Sequence, residues 1–97
     1  MGRRILLSET QLKTALATLP GWKKKGKAIE RTIEFETYAD GLDFAVRIGR
    51  RADRDNHHPD LVVGYCRVTL RWTTHDAGGL TALDIAGARM TDDEERI

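Results

Sequence analysis

The feature that most constrains the fold is a long amphipathic stretch from Tyr38 to Asn56, which stops shortly before Pro59. At about 100° per residue its apolar side chains gather on one face, and this period predicts a helix packed on a core. Because Pro59 disfavours helical geometry at the residue before it, the helix should end near Asn56 or His57. The predicted core face consists of Tyr38, Leu42, Ala45, Val46, Gly49 and Ala52.

Two further groups of side chains on this predicted helix lie outside the core face. Phe44 and Ile48 form a second apolar strip, and such a strip predicts cover by another subunit. A basic group on the far side is interpreted as a solvated face, with contact to an anion or a partner as the alternative. It consists of Arg47, Arg50, Arg51 and Arg54.

Capping signals predict a helix at each end of the chain. Ser8-Glu9-Thr10-Gln11 matches a capping box, and the spacing of the apolar residues that follow predicts a helix from Glu9 to Leu19. Thr81 can cap a last helix through about Met90. Gly87 lies inside that helix at a cost of about 1 kcal/mol relative to Ala, so the helix is expected to be weak or short. The acidic segment 92–95 is expected to be a frayed tail.

Two hairpins lie between the helices. Trp22 to Lys25 and Ala28 to Glu36 flank a Gly26-Lys27 turn, although Arg31 breaks the alternation, which suggests an edge strand or a face open to solvent. Leu61 to Tyr65 and Arg67 to Thr74 form the second pair. The order α-β-β-α-β-β-α predicts one α+β domain over residues 1–97, with three helices packed on one face of a four-stranded antiparallel sheet.

Net charge, cysteine content and the length of the N-terminal apolar run argue against several classes of protein. With 16 basic and 15 acidic residues the net charge is +1, which argues against a nucleic-acid partner or an anionic membrane surface. Cys66 is the lone cysteine, so an internal disulfide is impossible and a cytoplasmic location is expected. The apolar run Ile5-Leu6-Leu7 is too short for a signal peptide or a membrane span.

The adjacent pair His57-His58 is the main candidate for chemistry, because histidine can give or take a proton near neutral pH. Asp53 precedes His57 by four positions, so its carboxylate can orient that imidazole and favour its protonated form; an exposed ion pair is the alternative. His75 lies in a loop just after the last strand. Asp84 follows Thr81 at the spacing of a capping box. Sequence alone therefore favours a helix cap over a role in the site for this carboxylate.

Other chemistries are less well supported by these residues. Three histidines and two aspartates could hold a metal, but adjacent histidines rarely reach one ion and no HxH or HxxxH spacing is present, which argues against a metal site. Cys66 lies at a strand junction without a base at fixed spacing, which argues against nucleophilic catalysis.

Taken as a pattern, these residues resemble the signature of the pterin-4a-carbinolamine dehydratase family. The resemblance covers Asp53-x-x-x-His57-His58-Pro59, Tyr65, His75 and Asp84. It extends to Pro20-Gly21-Trp22 and to Thr74-His75-Asp76-x-Gly78-Gly79-Leu80-Thr81, nearly the whole chain. Asp53 stands where glutamate is frequent in the family, which leaves only its orienting role in doubt.

The resemblance implies an enzyme, a hydro-lyase that removes water from 4a-hydroxytetrahydropterin during tetrahydrobiopterin recycling. It implies no metal or other cofactor, the fold described above, and homodimers joined at sheet edges that often pair into homotetramers. His57 and His75 would be the acid/base pair and His58 would hold the pterin. The substrate-binding set would be His57, His58, Pro59, Thr74, His75 and Asp76, with Asp53 and Asp84 as supporting carboxylates.

A second function remains open at this point. The resemblance also includes catalytically inactive binding proteins, namely an assembly factor and a dimerisation partner of a transcription factor. The basic group on the long helix and the Phe44 and Ile48 strip would serve such a protein partner. Three convergent imidazoles have no evident use in a scaffold, so His57, His58 and His75 favour the enzyme.

Overall fold

The helices and strands follow the predicted order in the structure, a computed structural model that describes residues 5–96. A short 3-10 turn, His75–Ala77, precedes the last helix. The elements are α1 (Glu9–Ala17), β1 (Lys23–Lys25), β2 (Ala28–Glu34), α2 (Tyr38–Asp55), β3 (Asp60–Gly64), β4 (Arg67–Trp72) and α3 (Ala82–Glu95). The strands form an antiparallel sheet in the order β1-β2-β4-β3. The predicted α+β fold is confirmed.

The core lies between one face of the sheet and the helices. Ile29 and Ile33 of β2 stand opposite Trp72 and Val68 of β4, and all four side chains are buried. This is the period-2 alternation expected of a strand with one covered face. The opposite parity of β4 is more exposed and carries Arg67, Thr69 and Arg71.

The predicted core face of α2 is partly wrong. Phe44 and Ile48 are fully buried, whereas Tyr38, Leu42 and Val46 are 48%, 39% and 52% exposed. The side chains that contact the sheet belong to the other strip, because small residues there let the backbone approach. A Cβ on Gly41 would lie 3.5 Å from both Phe35 and Val68, and Ala45 and Ala52 are buried on the same side, as predicted. Phe44 and Ile48 are therefore covered by this chain's own core and not by another subunit.

Half of the basic group on α2 joins this helix to α3. Arg47 and Arg51 lie 3.5 and 3.0 Å from the carboxylate of Glu94, which is buried. The Arg47 guanidinium also lies over the Phe44 ring, 5.6 Å from its centroid. Arg50 and Arg54 are exposed, so only they match the predicted solvated face.

The acidic segment 92–95 is not a frayed tail. It continues α3 to Glu95, because Arg31 of β2 forms ion pairs with Asp92 and, at 3.3 Å, with Glu95. The indole of Trp22 donates a hydrogen bond to the same Asp92 at 3.0 Å. Since β2 lies between β1 and β4, Arg31 marks neither an edge strand nor a solvent-facing site; it points to the helices.

Gly87 allows α3 to lie directly on β4. A Cβ at this position would come within 2.5 Å of the Trp72 ring, so no larger residue fits without movement of one element. Trp72 also donates its indole N–H to the Thr91 hydroxyl at 3.1 Å, and that hydroxyl donates to the Gly87 carbonyl. The prediction of a short helix is wrong, because α3 runs from Ala82 to Glu95, and Gly87 is required for its close packing on Trp72.

Replacing Gly87 by alanine should therefore destabilise the protein by about 1–3 kcal/mol, the usual cost of overpacking, despite the higher helix propensity of alanine. Gly49 on α2 is the matched control, because a Cβ there meets nothing within 4 Å. Gly49→Ala should leave the free energy of unfolding unchanged or raise it by up to about 1 kcal/mol. Urea unfolding of both variants measures the difference, and equal effects would contradict the close contact with Trp72.

Candidate active site

The C-terminus of α2 sets the position of the histidine pair. Asn56 adopts left-handed geometry (φ 53°, ψ 38°) and its N–H donates to the Asp53 carbonyl, while the His57 N–H donates to the Ala52 carbonyl at 3.2 Å. These two bonds make a Schellman motif, which satisfies the last carbonyls of the helix. Pro59 follows and prevents a further turn, so the chain leaves the helix with His57 beside it.

The His57 ring is held on two sides. Its Nε2 lies 2.7 Å from Oδ1 of Asp84, and its ring stacks on Trp72 with centroids 5.5 Å apart and planes 23° apart. The imidazole is mostly buried and the carboxylate completely so. Stacking on the indole and the hydrogen bond to Asp84 together leave the His57 ring few alternative orientations.

Asp84 is the end point of a directed hydrogen-bond chain. Its Oδ2 accepts from the Thr81 N–H at 2.9 Å and from the Thr74 hydroxyl at 2.8 Å. Because the Thr74 proton is committed to Asp84, the Thr81 hydroxyl must donate to Thr74 across their 2.8 Å contact. The Thr81 oxygen in turn accepts from the Leu83 N–H at 3.2 Å.

This chain fixes the proton on His57. An ionised carboxylate only accepts hydrogen bonds, so Nε2 of His57 carries the hydrogen that points to Asp84. In the neutral imidazole, Nδ1 then keeps its lone pair for another partner. Asp84 also completes the capping box of α3, so the predicted cap is confirmed, and the same carboxylate contacts His57.

The predicted contact between Asp53 and His57 is not formed. Asp53 Oδ1 lies 2.8 Å from Nε2 of His58, and both side chains are largely exposed. The left-handed turn at Asn56 ends the helical register, so the four-residue spacing no longer places Asp53 next to His57. Asp53 supports the neighbouring histidine, in an exposed pair that contributes little to stability.

The other predicted site residues lie around the β4–α3 connection. Thr74 is buried and its N–H donates to the Gly79 carbonyl at 3.0 Å. His75 and Asp76 are exposed at the start of the 3-10 turn, and Pro59 is half-buried. No hydrogen bond or ring contact within residues 5–96 joins His57 to His75.

His57 and His75 each line a cavity. The first, of about 610 Å³, is lined by Arg54, Asp55, His57, Trp72, Ala82, Leu83, Ala86 and Gly87. The second, of about 440 Å³, is lined by Lys27, Asp60, Arg71, Thr73, His75, Gly78 and Gly79. Both volumes are in the range of small-molecule sites. His57 and His75 thus line different cavities that share no lining residue.

Between residues 5 and 96, no group of three or more His, Cys, Asp or Glu side chains is arranged to hold a metal ion. In the same part of the chain, no helix has the length and hydropathy needed to cross a bilayer.

Sequence reasoning missed several contacts in this site. The support that the Trp72 ring gives to the His57 ring was not predicted. The hydroxyl of Thr74 was not predicted to contact Asp84, and Thr81 was predicted only as a cap. The capping spacing of Thr81 and Asp84 was the available signal, since a cap beside β4 brings its carboxylate near the end of that strand.

Known proteins identify the family. A family model described as pterin 4 alpha carbinolamine dehydratase matches residues 5–94. The chain belongs to this family. Pterin dehydratase relatives from Koribacter versatilis and Nocardia farcinica carry the name "Putative pterin-4-alpha-carbinolamine dehydratase". The first is 44% identical over 81% of this chain and 84% of its own length. The second is 41% identical over 94% and 96%.

Solved structures agree with this fold. A crystal structure titled transcriptional coactivator/pterin dehydratase from Brucella melitensis superposes with a TM-score of 0.86 and 32% identity, covering 91% of this chain and 96% of that one. A pterin dehydratase-like protein identified as a RuBisCO assembly factor in the alpha-carboxysome has a TM-score of 0.65 and 19% identity, covering 76% and 88%. The second likeness concerns the fold alone.

Asp84→Asn tests the directed chain. Because the Thr81 N–H cannot accept a hydrogen bond, the amide oxygen should stay toward Thr81 and the new NH₂ should face Nε2 of His57, so the free energy of unfolding should fall by about 1–3 kcal/mol. The ¹⁵N spectrum of the His57 ring should show the Nε2–H tautomer in the wild type and lose it in the variant. Asp53→Asn is the control, because its exposed pair should change stability by less than about 1 kcal/mol. An Nδ1–H tautomer in the wild type would contradict the proton assignment.

Proposed function

We propose that this protein is a hydro-lyase that removes water from a 4a-hydroxytetrahydropterin and releases quinonoid dihydropterin. The observation that carries the proposal is the His57 imidazole, which lines the first cavity and is held through Nε2 by buried Asp84. This arrangement leaves Nδ1 as the ring atom for proton transfer. Membership of the dehydratase family supplies the class of substrate.

Dehydration needs two proton movements. One proton must reach the 4a-hydroxyl, whose C–O bond breaks as water leaves, and another must leave a ring nitrogen as the new C=N bond forms. Protonated His57 can donate from Nδ1, while Asp84 stabilises the imidazolium through Nε2–H. General acid or base catalysis of this kind contributes about 10² to 10⁴ in rate. The reaction as written needs no metal or redox cofactor.

The remaining roles follow the family resemblance. His75 is proposed as the second acid/base group, with His58, Pro59, Thr74 and Asp76 in contact with the pterin. Because His57 and His75 line different cavities, this pairing requires a substrate that reaches both. If the pterin occupies the first cavity alone, His57 must act with a water molecule or with Arg54 or Asp55 from the same wall.

His57→Gln should lower kcat for dehydration of 4a-hydroxytetrahydropterin by about 10² to 10⁴, because the proton-transfer group is lost while the hydrogen bond to Asp84 can be kept. His58→Gln is the matched histidine variant, and it should raise KM with a smaller effect on kcat. Stopped-flow absorbance of quinonoid dihydropterin formation measures both constants. Full activity of a His57→Ala protein would overturn the assignment, and a wild type without turnover but with a tight protein partner would favour an inactive binding protein.

Ala86→Phe tests which cavity receives the substrate. Ala86 is exposed on α3 and lines the first cavity, so a phenyl ring there should obstruct it without contact to the Asp84 chain. We expect kcat/KM to fall about a hundredfold, as for a misplaced substrate. Ala17→Phe at the end of α1, outside both cavities, is the control for folding and expression. Unchanged kinetics in Ala86→Phe would move the substrate to the second cavity, beside His75.

A further inference from the structure

One turn of α3 contacts the Trp72 indole, and the indole contacts the His57 ring. Gly87 and Thr91 are four residues apart, so both lie on the face of α3 that meets β4. A Cβ at Gly87 would lie 2.5 to 2.7 Å from three atoms of the indole, and Oγ1 of Thr91 accepts the indole N–H at 3.1 Å. The indole in turn stacks on the imidazole, with planes 23° apart. The last helix is thereby connected to the candidate acid/base group.

The Thr91 hydroxyl is oriented for this contact by its own helix. It donates its proton to the Gly87 carbonyl at 2.8 Å, so its oxygen presents a lone pair to the indole N–H. An indole N–H is a donor only, and leaving it unpaired in a buried place is costly. Thr91 is completely buried and lines neither of the two cavities beside the histidines, so any effect on a substrate there must pass through another side chain.

Packing and stacking alone do not fix the indole. A close contact against the face of a ring resists movement toward that contact, but the ring can still slide or turn in its own plane, because apolar packing is non-directional. A hydrogen bond at the ring edge is directional and weakens steeply as its angle departs from linear. The bond to Thr91 is therefore the contact that resists in-plane movement of Trp72. The His57 ring, whose centroid lies 5.5 Å from that of the indole, shares the consequence.

We propose that Thr91 is a positioning residue for His57 and acts through the Trp72 indole. The hydrogen bond at the ring edge keeps the indole stacked on the imidazole while Nε2 stays on Asp84 and Nδ1 remains free for proton transfer. A displaced ring would misdirect Nδ1 without removing a group that touches the substrate, so the effect falls on kcat. This catalytic consequence rests on the dehydratase function proposed above, whereas the orientation of the ring can be measured without turnover.

Trp22 separates a structural role from a positioning role. It is also buried, and it also donates its indole N–H to a residue of α3, namely Asp92 at 3.0 Å. Within residues 5–96, however, no ring contact joins Trp22 to His57, and Trp22 lines neither cavity. Loss of either indole N–H should destabilise the fold, but only the loss at Trp72 should disturb His57.

Steady-state kinetics of matched variants test the role of Thr91. Thr91→Val removes the hydroxyl at nearly constant volume, so kcat should fall about tenfold to a hundredfold while KM stays within about twofold. Thr91→Ser keeps the hydroxyl and should retain kcat to within about threefold of the wild type. Trp72→Phe should lower kcat at least as much as Thr91→Val. Trp22→Phe is the control and should keep kcat within about twofold, because it lies outside this group of contacts.

A double variant tests whether Thr91 acts through the indole. Without an indole N–H the Thr91 hydroxyl has no partner on β4, so Thr91→Val/Trp72→Phe should be no slower than Trp72→Phe alone. Additive losses of kcat would overturn the proposal, as would a Thr91→Ser protein no better than Thr91→Val. Equal losses in Trp22→Phe and Trp72→Phe would do so too, because they would indicate a general loosening of the core.

NMR of the His57 ring gives a second readout that does not depend on turnover. Protons over the face of an indole are shifted by its ring current, so the ring resonances of His57 should move in Thr91→Val and keep their wild-type positions in Thr91→Ser and Trp22→Phe. Unmoved resonances in Thr91→Val would overturn the proposal. A wild type without turnover would sink the dehydratase function, and these resonances would then decide the role of Thr91 alone. Circular dichroism verifies folding, and Trp72→Phe replaces Thr91→Val if the latter does not fold.

Discussion

The buried carboxylate of Asp84 accepts the hydrogen bonds on which the rest of the candidate site depends. A fully buried charge is costly unless its lone pairs are used, and here they accept from a backbone N–H, a hydroxyl and an imidazole. The same side chain starts α3, ties that helix to the end of β4 and orients His57. Local helix formation and the chemistry of the site thus share one group, so neither can be altered without the other.

Helix α3 is joined to the sheet side of the molecule at both of its ends, and its middle lies close against the sheet. Asp84 joins its first turn to Thr74, while Asp92 and Glu95 join its last turns to Arg31 of β2. Between these anchors the missing side chain of Gly87 lets the helix lie on Trp72. The indole is thus packed against α3 and hydrogen-bonded to Thr91 where it stacks on the His57 ring, and Trp72 and Gly87 both line the first cavity.

Periodicity and capping predicted the elements well, since all boundaries except the end of α3 lie within two residues of those expected. Pairings between distant elements were not predictable. Nothing near Arg31 in sequence indicates Asp92, and nothing near Asp53 shows that Asn56 turns left-handed and redirects the imidazoles. The small side chains of Gly41, Ala45 and Ala52 let α2 approach the core on the side of Phe44 and Ile48, and the apolar period of the sequence does not show this.

The contact between Gly87 and Trp72 restricts which pairs of residues can occupy these two positions. A side chain at 87 and a full indole at 72 cannot occupy the same volume, so each residue sets a limit on its counterpart. Among relatives that keep this helix on this strand, an alanine or serine at the first position should accompany a smaller ring or an aliphatic group at the second. The pair would then appear in an alignment as correlated change, although only one of the two residues touches the imidazole.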